Sequence, residues 1–389
     1  MHPRHRTVLW AVFLTTVVWL LHSGLNASRE PAFAFGVITD VQYADVDDGT
    51  GFGGRDRRFF RGSLETLAAA QRHWSQGKDT LSFAAQLGDL VDGRNVKLGS
   101  SASALERALG LLQHVPCRVL SLVGNHDLYN FDRETLAARL ATRPDGHEFY
   151  SIAPAPGWRV VILDAYQESV LGWPEGDVRR RRAERWLAEH NSNDLSDGGA
   201  WFNGLTGTAR RAVPFNGAFG REQLAWLRRT LRAARSADER VIILSHVVLS
   251  PLACDGTTMA WDYDAALAII HERDGENEEA RTPRPAAHKP AKPLVALVLC
   301  GHDHHGGYHR DDRGVHHLTL RSPLNTGAAG RAFGRIVVSA DSLELRGPRL
   351  DDLLPLSDRW PLAERPPVTT SSSSSGGDGV EEVMRFPCG

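Results

Sequence analysis

Cysteine is scarce in this chain of 389 residues: Cys117, Cys254, Cys300 and Cys388 stand at no paired spacing. That excludes a disulfide framework and reads as reduced core or surface thiols, with Cys300 packed inside a strand. No charge sign is in excess, since 45 Lys+Arg face 47 Asp+Glu for a net of −2. With no RNP, finger or helix-turn-helix pattern either, nucleic-acid binding has no support and a small substrate is expected. Long apolar runs are absent except Val8 to Leu21, which follows Arg4 and Arg6 and holds two threonines. It falls short of the roughly 20 residues of a membrane span and fits a signal-peptide core. Residues 1–30 are therefore expected to be a signal peptide or, because Leu25-Asn26-Ala27 is a mediocre cleavage site, a signal anchor. That favours the secretory pathway or a membrane-anchored location, with membrane contact through residues 8–21, and the few cysteines argue for the cytoplasm instead. Asn26-Ala27-Ser28 is the glycosylation sequon.

What the chain does have is five short motifs in one order: Asp40-Val41-Gln42, Gly88-Asp89, Gly124-Asn125-His126-Asp127, Ser245-His246 and Gly301-His302-Asp303-His304. Each carries a carboxylate, carboxamide or imidazole, the side chains that bind divalent first-row metals, and together they hold enough donors for two ions. Each also follows an apolar, β-branched run that reads as a buried strand: Phe33 to Thr39, Leu81 to Leu87, Arg118 to Val123, Val241 to Leu244 and Leu294 to Cys300. Ligands in open α/β sheets bind outside the carboxyl ends of strands. Five donor-bearing loops at five strand ends thus define one two-metal site, although any one motif alone would read as architecture. His302 and His304 give the sharpest local signal.

Residues two apart in extended chain project to the same side, so Asp40 and Gln42 can hold one ion together. Two dications offset by only two carboxylates, Asp40 and Asp89, keep about two positive charges, which attract phosphate and lower the pKa of a bridging water. Hydrolysis by a metal-bridging hydroxide, attacking phosphorus in line without a covalent intermediate, is the expected reaction class. His126 points away from Asn125 if the segment is extended, so it would face the substrate as general acid, kept cationic by a nearby carboxylate.

These residues resemble the calcineurin-like metallophosphoesterases, whose pattern runs D-x-H, GD, GNH-D/E, H and GH-x-H. One position departs, Gln42 where most members have His, and that departure is similar to one branch, the manganese-dependent ADP-ribose/CDP-alcohol diphosphatases. The similar stretches are Phe35 to Asp45 (FGVITDVQYAD), Gln86 to Asn95 (QLGDLVDGRN), Gly124 to Phe131 (GNHDLYNF), Leu163 to Gly172 (LDAYQESVLG), Phe215 to Leu227 (FNGAFGREQLAWL) and Gly301 to Tyr308 (GHDHHGGY). The resemblance implies that His304 joins Asp40 and Gln42 on the first ion, that Asn125, His246 and His302 hold the second, and that Asp89 bridges both. A short loop directly after a strand suits a bridging carboxylate, which must be held rigidly. It also implies Asp92, three residues after the bridge, as the partner of His126, with Asp127 in competition. An amide oxygen is a harder, weaker donor than imidazole, so Gln42 tilts the first site from zinc towards manganese or magnesium. The family independently implies manganese.

The implied substrates are ADP-ribose and CDP-alcohols such as CDP-choline and CDP-glycerol, cleaved to a nucleoside monophosphate and a phosphorylated sugar or alcohol. Two alternatives stay open: a phosphodiesterase or phosphomonoesterase of the same superfamily, and a non-catalytic scaffold, although every candidate ligand and His126 are present. The family's mostly cytosolic setting supports the cytoplasmic alternative for location. Candidate substrate contacts are Arg55, Arg57, Arg58 and Arg61, otherwise a solvated face, and Tyr43, Tyr129, Trp261 and Tyr308, otherwise core or cleft wall.

The motifs must close on one core, so residues 31–350 are expected to form a single, monomeric catalytic domain. The resemblance implies an α/β fold, the four-layer αββα sandwich, with the metal site at the C-terminal ends of its strands. Helices are expected over Ser63 to Trp74 and over Arg221 to Ala234, where Leu224, Leu227 and Leu231 share a stripe. Trp158 to Leu163 and Ile336 to Glu344 should supply strands of a second sheet. Residues 272–293 read as a polar surface insertion, and 351–389, with a five-serine run, as a low-complexity disordered tail.

Overall fold

The computed structural model describes residues 31–388 except 52–53, 55, 77–79, 141–148, 197–199, 273–291, 356–358, 361–364 and 373–379. The apolar run Val8 to Leu21, the Asn26 sequon, Arg55 and nearly all of the 272–293 insertion lie outside the described residues, among which no helix is long and apolar enough to cross a membrane.

The predicted strands sort into two sheets. The first has the spatial order β14 (Val368–Ser372), β15 (Val380–Pro387), β13 (Ser342–Gly347), β12 (Gly334–Val338), β1 (Phe33–Ile38), β4 (Phe83–Gln86) and β5 (Arg118–Ser121). The second runs β10 (Gly307–Arg310), β11 (His316–Thr319), β9 (Val295–Cys300), β8 (Arg240–Ser245), β7 (Trp158–Ile162) and β6 (Tyr150–Ala155). A ribbon of β2 (Gly49–Thr50) and β3 (Arg57–Arg58) stands apart. Strands β1, β4 and β5 are parallel neighbours in the first sheet, and β7, β8, β9 and β11 in the second. Five donor-bearing loops therefore leave from the C-terminal ends of parallel strands.

Period-two alternation decides which residues face which layer. Phe35, Val37, Phe83 and Leu120 of the first sheet meet Val160, Ile162, Ile242, Leu244, Leu297 and Leu299 of the second in a core between the sheets. Their alternates face outward. Ala34, Ile38 and Ala84 pack on Leu67, Ala70 and Trp74 of the helix Phe60–Gln76 and on Leu105, Ala108 and Leu112 of the helix Ser101–Leu112. Val161, Ile243 and Val298 pack on Leu227 and Leu231 of the helix Gly220–Ser236 and on Ala266, Ile269 and Ile270 of the helix Tyr263–Ile270. The layers run helix, sheet, sheet, helix, the sandwich that the motifs implied.

Two expectations need correcting. Ile336 to Glu344 is not a strand of the second sheet: it contains the turn of the β12–β13 hairpin, and β12 lies antiparallel to β1 in the first. The tail is not wholly disordered either. β15 pairs with β13 along Ser342–Gly347 and with β14 along Val368–Ser372, while residues 373–379, which include the last three serines of the run, lie outside the described residues. Buried Met384 and Phe386 give the reason, because they complete the core between the sheets beside Trp360. Phe386→Ala should accordingly cost about 3–5 kcal/mol in denaturant unfolding. A disordered tail would give no loss.

Candidate metal centre

The backbone at the strand ends is unusual. Five described residues other than glycine have positive φ, and four of them are Asp40 (48°), Gln42 (43°), Asp89 (58°) and His302 (67°). Left-handed backbone disfavours ordinary side chains, and such strain concentrates where the surrounding structure fixes a site. Asp40 and Gln42 are thus not in extended chain as the spacing argument assumed, yet both reach His304: Asp40 Oδ1 lies 3.5 Å and Gln42 Nε2 2.8 Å from its Nε2. The motif glycines allow the close approach. A Cβ on Gly124 would overlap the Asp89 carboxylate, and one on Gly301 would overlap Thr39 and Asp40.

Asp89 lies between the two groups of side chains. Its Oδ1 accepts the His126 N–H at 2.7 Å, and its Oδ2 is 2.9 Å from Gln42 Nε2 and 3.6 Å from His246 Nε2. Ligand atoms of Asp89, His246 and His302 lie within 4.8 Å of one another. Asn125 is tied to this group through Tyr166, whose ring packs 6.1 Å from that of His246: its Oδ1 is 3.3 Å from the Tyr166 hydroxyl and its Nδ2 3.3 Å from that of Tyr129.

Each histidine has one nitrogen anchored and the other left as a donor. His246 Nδ1 bonds the Leu87 carbonyl at 2.9 Å, His302 Nε2 bonds Asn216 Oδ1 at 2.8 Å, and His304 Nδ1 bonds Asn325 Oδ1 at 2.8 Å. Asn216 gives its amide hydrogens to the Arg211 and Thr257 carbonyls, so its oxygen must face His302. The lone pairs left over are His246 Nε2, His302 Nδ1 and His304 Nε2. Anchoring of this kind fixes tautomer and ring orientation at metal sites.

Electrostatics asks for a cation. Burial, then the charges of Asp40 and Asp127, push the Asp89 carboxyl well above its ordinary range. Burial also opposes ionisation of Asp40, but His304 and His246 outweigh it and hold that group below the usual range. Burial pulls His246 and His302 below the ordinary imidazole range, towards the neutral form that ligates. Asp40 Oδ1, Gln42 Oε1 and His246 Nε2 are buried with no hydrogen-bond partner among the described residues. Buried polar atoms normally find partners. Turning the Gln42 amide by 180° would put its oxygen beside His304, and the whole donor set then fits two divalent ions.

The segment carrying His126 is a helix, Asn125–Asn130, and not the extended chain assumed for it. His126 is still separated in role from Asn125. Its Nδ1 lies 3.1 Å from Asp92 Oδ2 and accepts the Gly93 N–H at 3.0 Å. Asp92 is held below the usual carboxylate range, since His126, the Arg94 amide and Arg58 together outweigh burial. Asp127 does something else: it accepts the N–H groups of Asp89 (2.8 Å), Leu90 (2.9 Å), Val91 (3.4 Å) and Gly124 (3.0 Å), tying two donor loops together. Burial pushes it up to about 6 in spite of these bonds. Asp127→Asn turns one acceptor into a donor facing N–H groups, so unfolding free energy should fall by about 1–3 kcal/mol, read by denaturant titration.

Sequence reasoning did not find Asn216, Asn325 or Tyr166, because a lone Asn or Tyr has no pattern; Asn216 and Tyr166 both lie within stretches noted for their similarity. Of the candidate substrate contacts, Arg57 pairs with Asp48, Arg61 with Asp45 and Asp47, and Arg58 is close enough for its charge to act on Asp92 and Asp89. Tyr43 is buried, Trp261 stacks on Trp186 and Tyr308 on Trp360. Among the candidate aromatics, Tyr129, 38 % exposed and edge-on to His126, stands at the site.

Residues 33–306 match the model of the calcineurin-like phosphoesterases, and the chain belongs to that family. Among its curated relatives, proteins named manganese-dependent ADP-ribose/CDP-alcohol diphosphatase are 36% identical in Arabidopsis thaliana, over 83% of this chain and 96% of the relative, and 33% identical in Homo sapiens, over 83% and 92%. The crystal structure of a dimetal phosphatase from Danio rerio superposes with a TM-score of 0.73 at 33% identity, covering 82% of this chain and 96% of that one.

Proposed function

We propose that this protein is a manganese-dependent hydrolase that cleaves the diphosphate of ADP-ribose and CDP-alcohols. The observation that carries the reaction class is the set of buried donors left without partners, Asp40 Oδ1, Gln42 Oε1 and His246 Nε2, around the shared carboxylate Asp89. The substrate class follows from the diphosphatases to which the chain is similar along most of its length. Asp40, Gln42 and His304 would hold one ion, Asn125, His246 and His302 the other, with Asp89 common to both. Bound there, divalent cations supply Lewis acidity and a nucleophile drawn from water.

The chain's own residues do the rest. His126 Nδ1 lies 3.1 Å from Asp92 Oδ2, so the cationic ring, paired there with the carboxylate, presents its Nε2–H to the site. That nitrogen donates to the departing phosphate oxygen. Arg58 lies near enough to this proton donor to draw a substrate phosphate towards it, and the exposed Tyr129 offers a ring beside it.

Product analysis tests the reading. The metal-stripped full chain, supplied with manganese, should convert ADP-ribose to AMP and ribose 5-phosphate, and CDP-choline to CMP and phosphocholine, with weaker turnover in zinc. Cleavage of a simple phosphodiester with both diphosphates untouched would overturn it.

A further inference from the structure

A second cluster of metal-binding side chains lies away from the centre just described. His271 caps the C-terminal end of the helix Tyr263–Ile270, Asp311 opens the turn between β10 and β11, and His317 is on β11. Two segments, the helix end and the β10–β11 hairpin, therefore bring three side chains to one point. Their ligand atoms lie within 4.8 Å of one another. β11 runs parallel to β9 and Asp311 precedes it, so the carboxylate of this cluster enters from the N-terminal end of these strands, whereas His302 and His304 follow the C-terminal end of β9.

The carboxylate is oriented before any ligand arrives. Asp311 Oδ1 accepts the N–H groups of Arg313 (3.0 Å) and Val315 (2.9 Å), which locks the side chain into its own turn. Oδ2 is thereby aimed at the imidazoles and lies 2.8 Å from His271 Nε2 and 2.9 Å from His317 Nε2. A cation with bonds of roughly 2.0–2.1 Å has adjacent donors about 2.9 Å apart when they sit at right angles around it. The two carboxylate–imidazole separations match that edge. His317 is buried and His271 is 26 % exposed, so one side of the cluster is open to water, as a site with remaining solvent ligands requires. Two imidazoles and one carboxylate with open positions form a donor set for a divalent first-row transition metal.

We propose that His271, Asp311 and His317 form a third metal site, which binds a divalent first-row ion and staples the end of the helix Tyr263–Ile270 to the β10–β11 hairpin. The ion is structural in effect, since it joins the residue just before the 272–293 insertion to a sheet strand, away from His126 and its neighbours. Asp311→Asn is an apt probe. Its oxygen can still accept the Arg313 and Val315 amides, while its nitrogen replaces the ligating atom.

The test counts zinc. Full-length chain equilibrated with zinc and freed of excess ion by gel filtration should retain one ion per chain more than His271→Ala or Asp311→Asn. The double variant should also fall short by one and not two, because both side chains serve the same ion. Each variant should keep wild-type circular dichroism and manganese-dependent turnover within about twofold, which separates loss of this ion from loss of fold or of the catalytic pair. Equal zinc in wild type and variants would overturn the proposal and leave the cluster a set of hydrogen bonds. A deficit of two in the double variant would overturn it as well.

Discussion

Asp89→Asn is expected to lower kcat/KM for a diphosphate substrate by roughly three orders of magnitude and to reduce the manganese held by the chain. The carboxylate is shared: Oδ1 takes the His126 N–H and Oδ2 faces both Gln42 and His246, which come from loops of different sheets. Asparagine can keep the first bond, so the loop should hold its shape. It removes the negative charge and one donor from the carboxylate proposed to be common to both ions, a loss of several kcal/mol of charge stabilisation, which at 1.36 kcal/mol per decade is about 10³-fold. Kinetics together with metal content measured on the same sample decide the matter. Turnover within about tenfold of wild type, at full metal content, would remove Asp89 from the centre.

His126→Ala should behave differently, with kcat down by about 10²–10⁴ and metal content unchanged. The ring is no part of the cluster of unpartnered donors; it is 18 % exposed at the edge of the site and steadied by Asp92 and the Gly93 amide. Its proposed task is to protonate the departing oxygen. A substrate whose leaving group needs no proton, such as a nitrophenyl phosphodiester, should therefore lose far less rate than ADP-ribose in the same variant. Equal losses on both substrates would make His126 a binding residue instead of an acid.

β1, β4, β8 and β9 were legible because each is a largely apolar run buried on both faces and ended by a polar loop, whereas β5, with Arg118 exposed, is weaker. β1 and β9 came out within a residue of their observed ends. The β12–β13 hairpin was missed for a local reason: Ser339 to Ser342 is a polar turn inside an otherwise apolar stretch, which the reading ran through. β15 was missed because Glu381, Glu382 and Arg385 interrupt its apolar residues, and its burial depends on a partner strand distant in sequence. The helical start at Asn125 was hidden by Gly124, which reads as a turn but serves as the helix N-cap. Around the centre, donors within motifs could be named from order and spacing. Their supports could not, since Asn216 is 86 residues from His302 and Asn325 is 21 from His304, and neither pairing has a sequence period.

Asp40, Gln42, Asp89 and Asn125 hang from the first sheet, whereas His246, His302 and His304 hang from the second. Ions gripped by this set would act as rivets through the seam of the sandwich, so that prising the layers apart must also strip the cations. Unfolding and demetallation then become one linked equilibrium, and each tenfold rise in free manganese above its dissociation constant adds about 1.4 kcal/mol per bound ion to the resistance of the whole domain. Scarcity of the ion would slacken the protein as well as idle it.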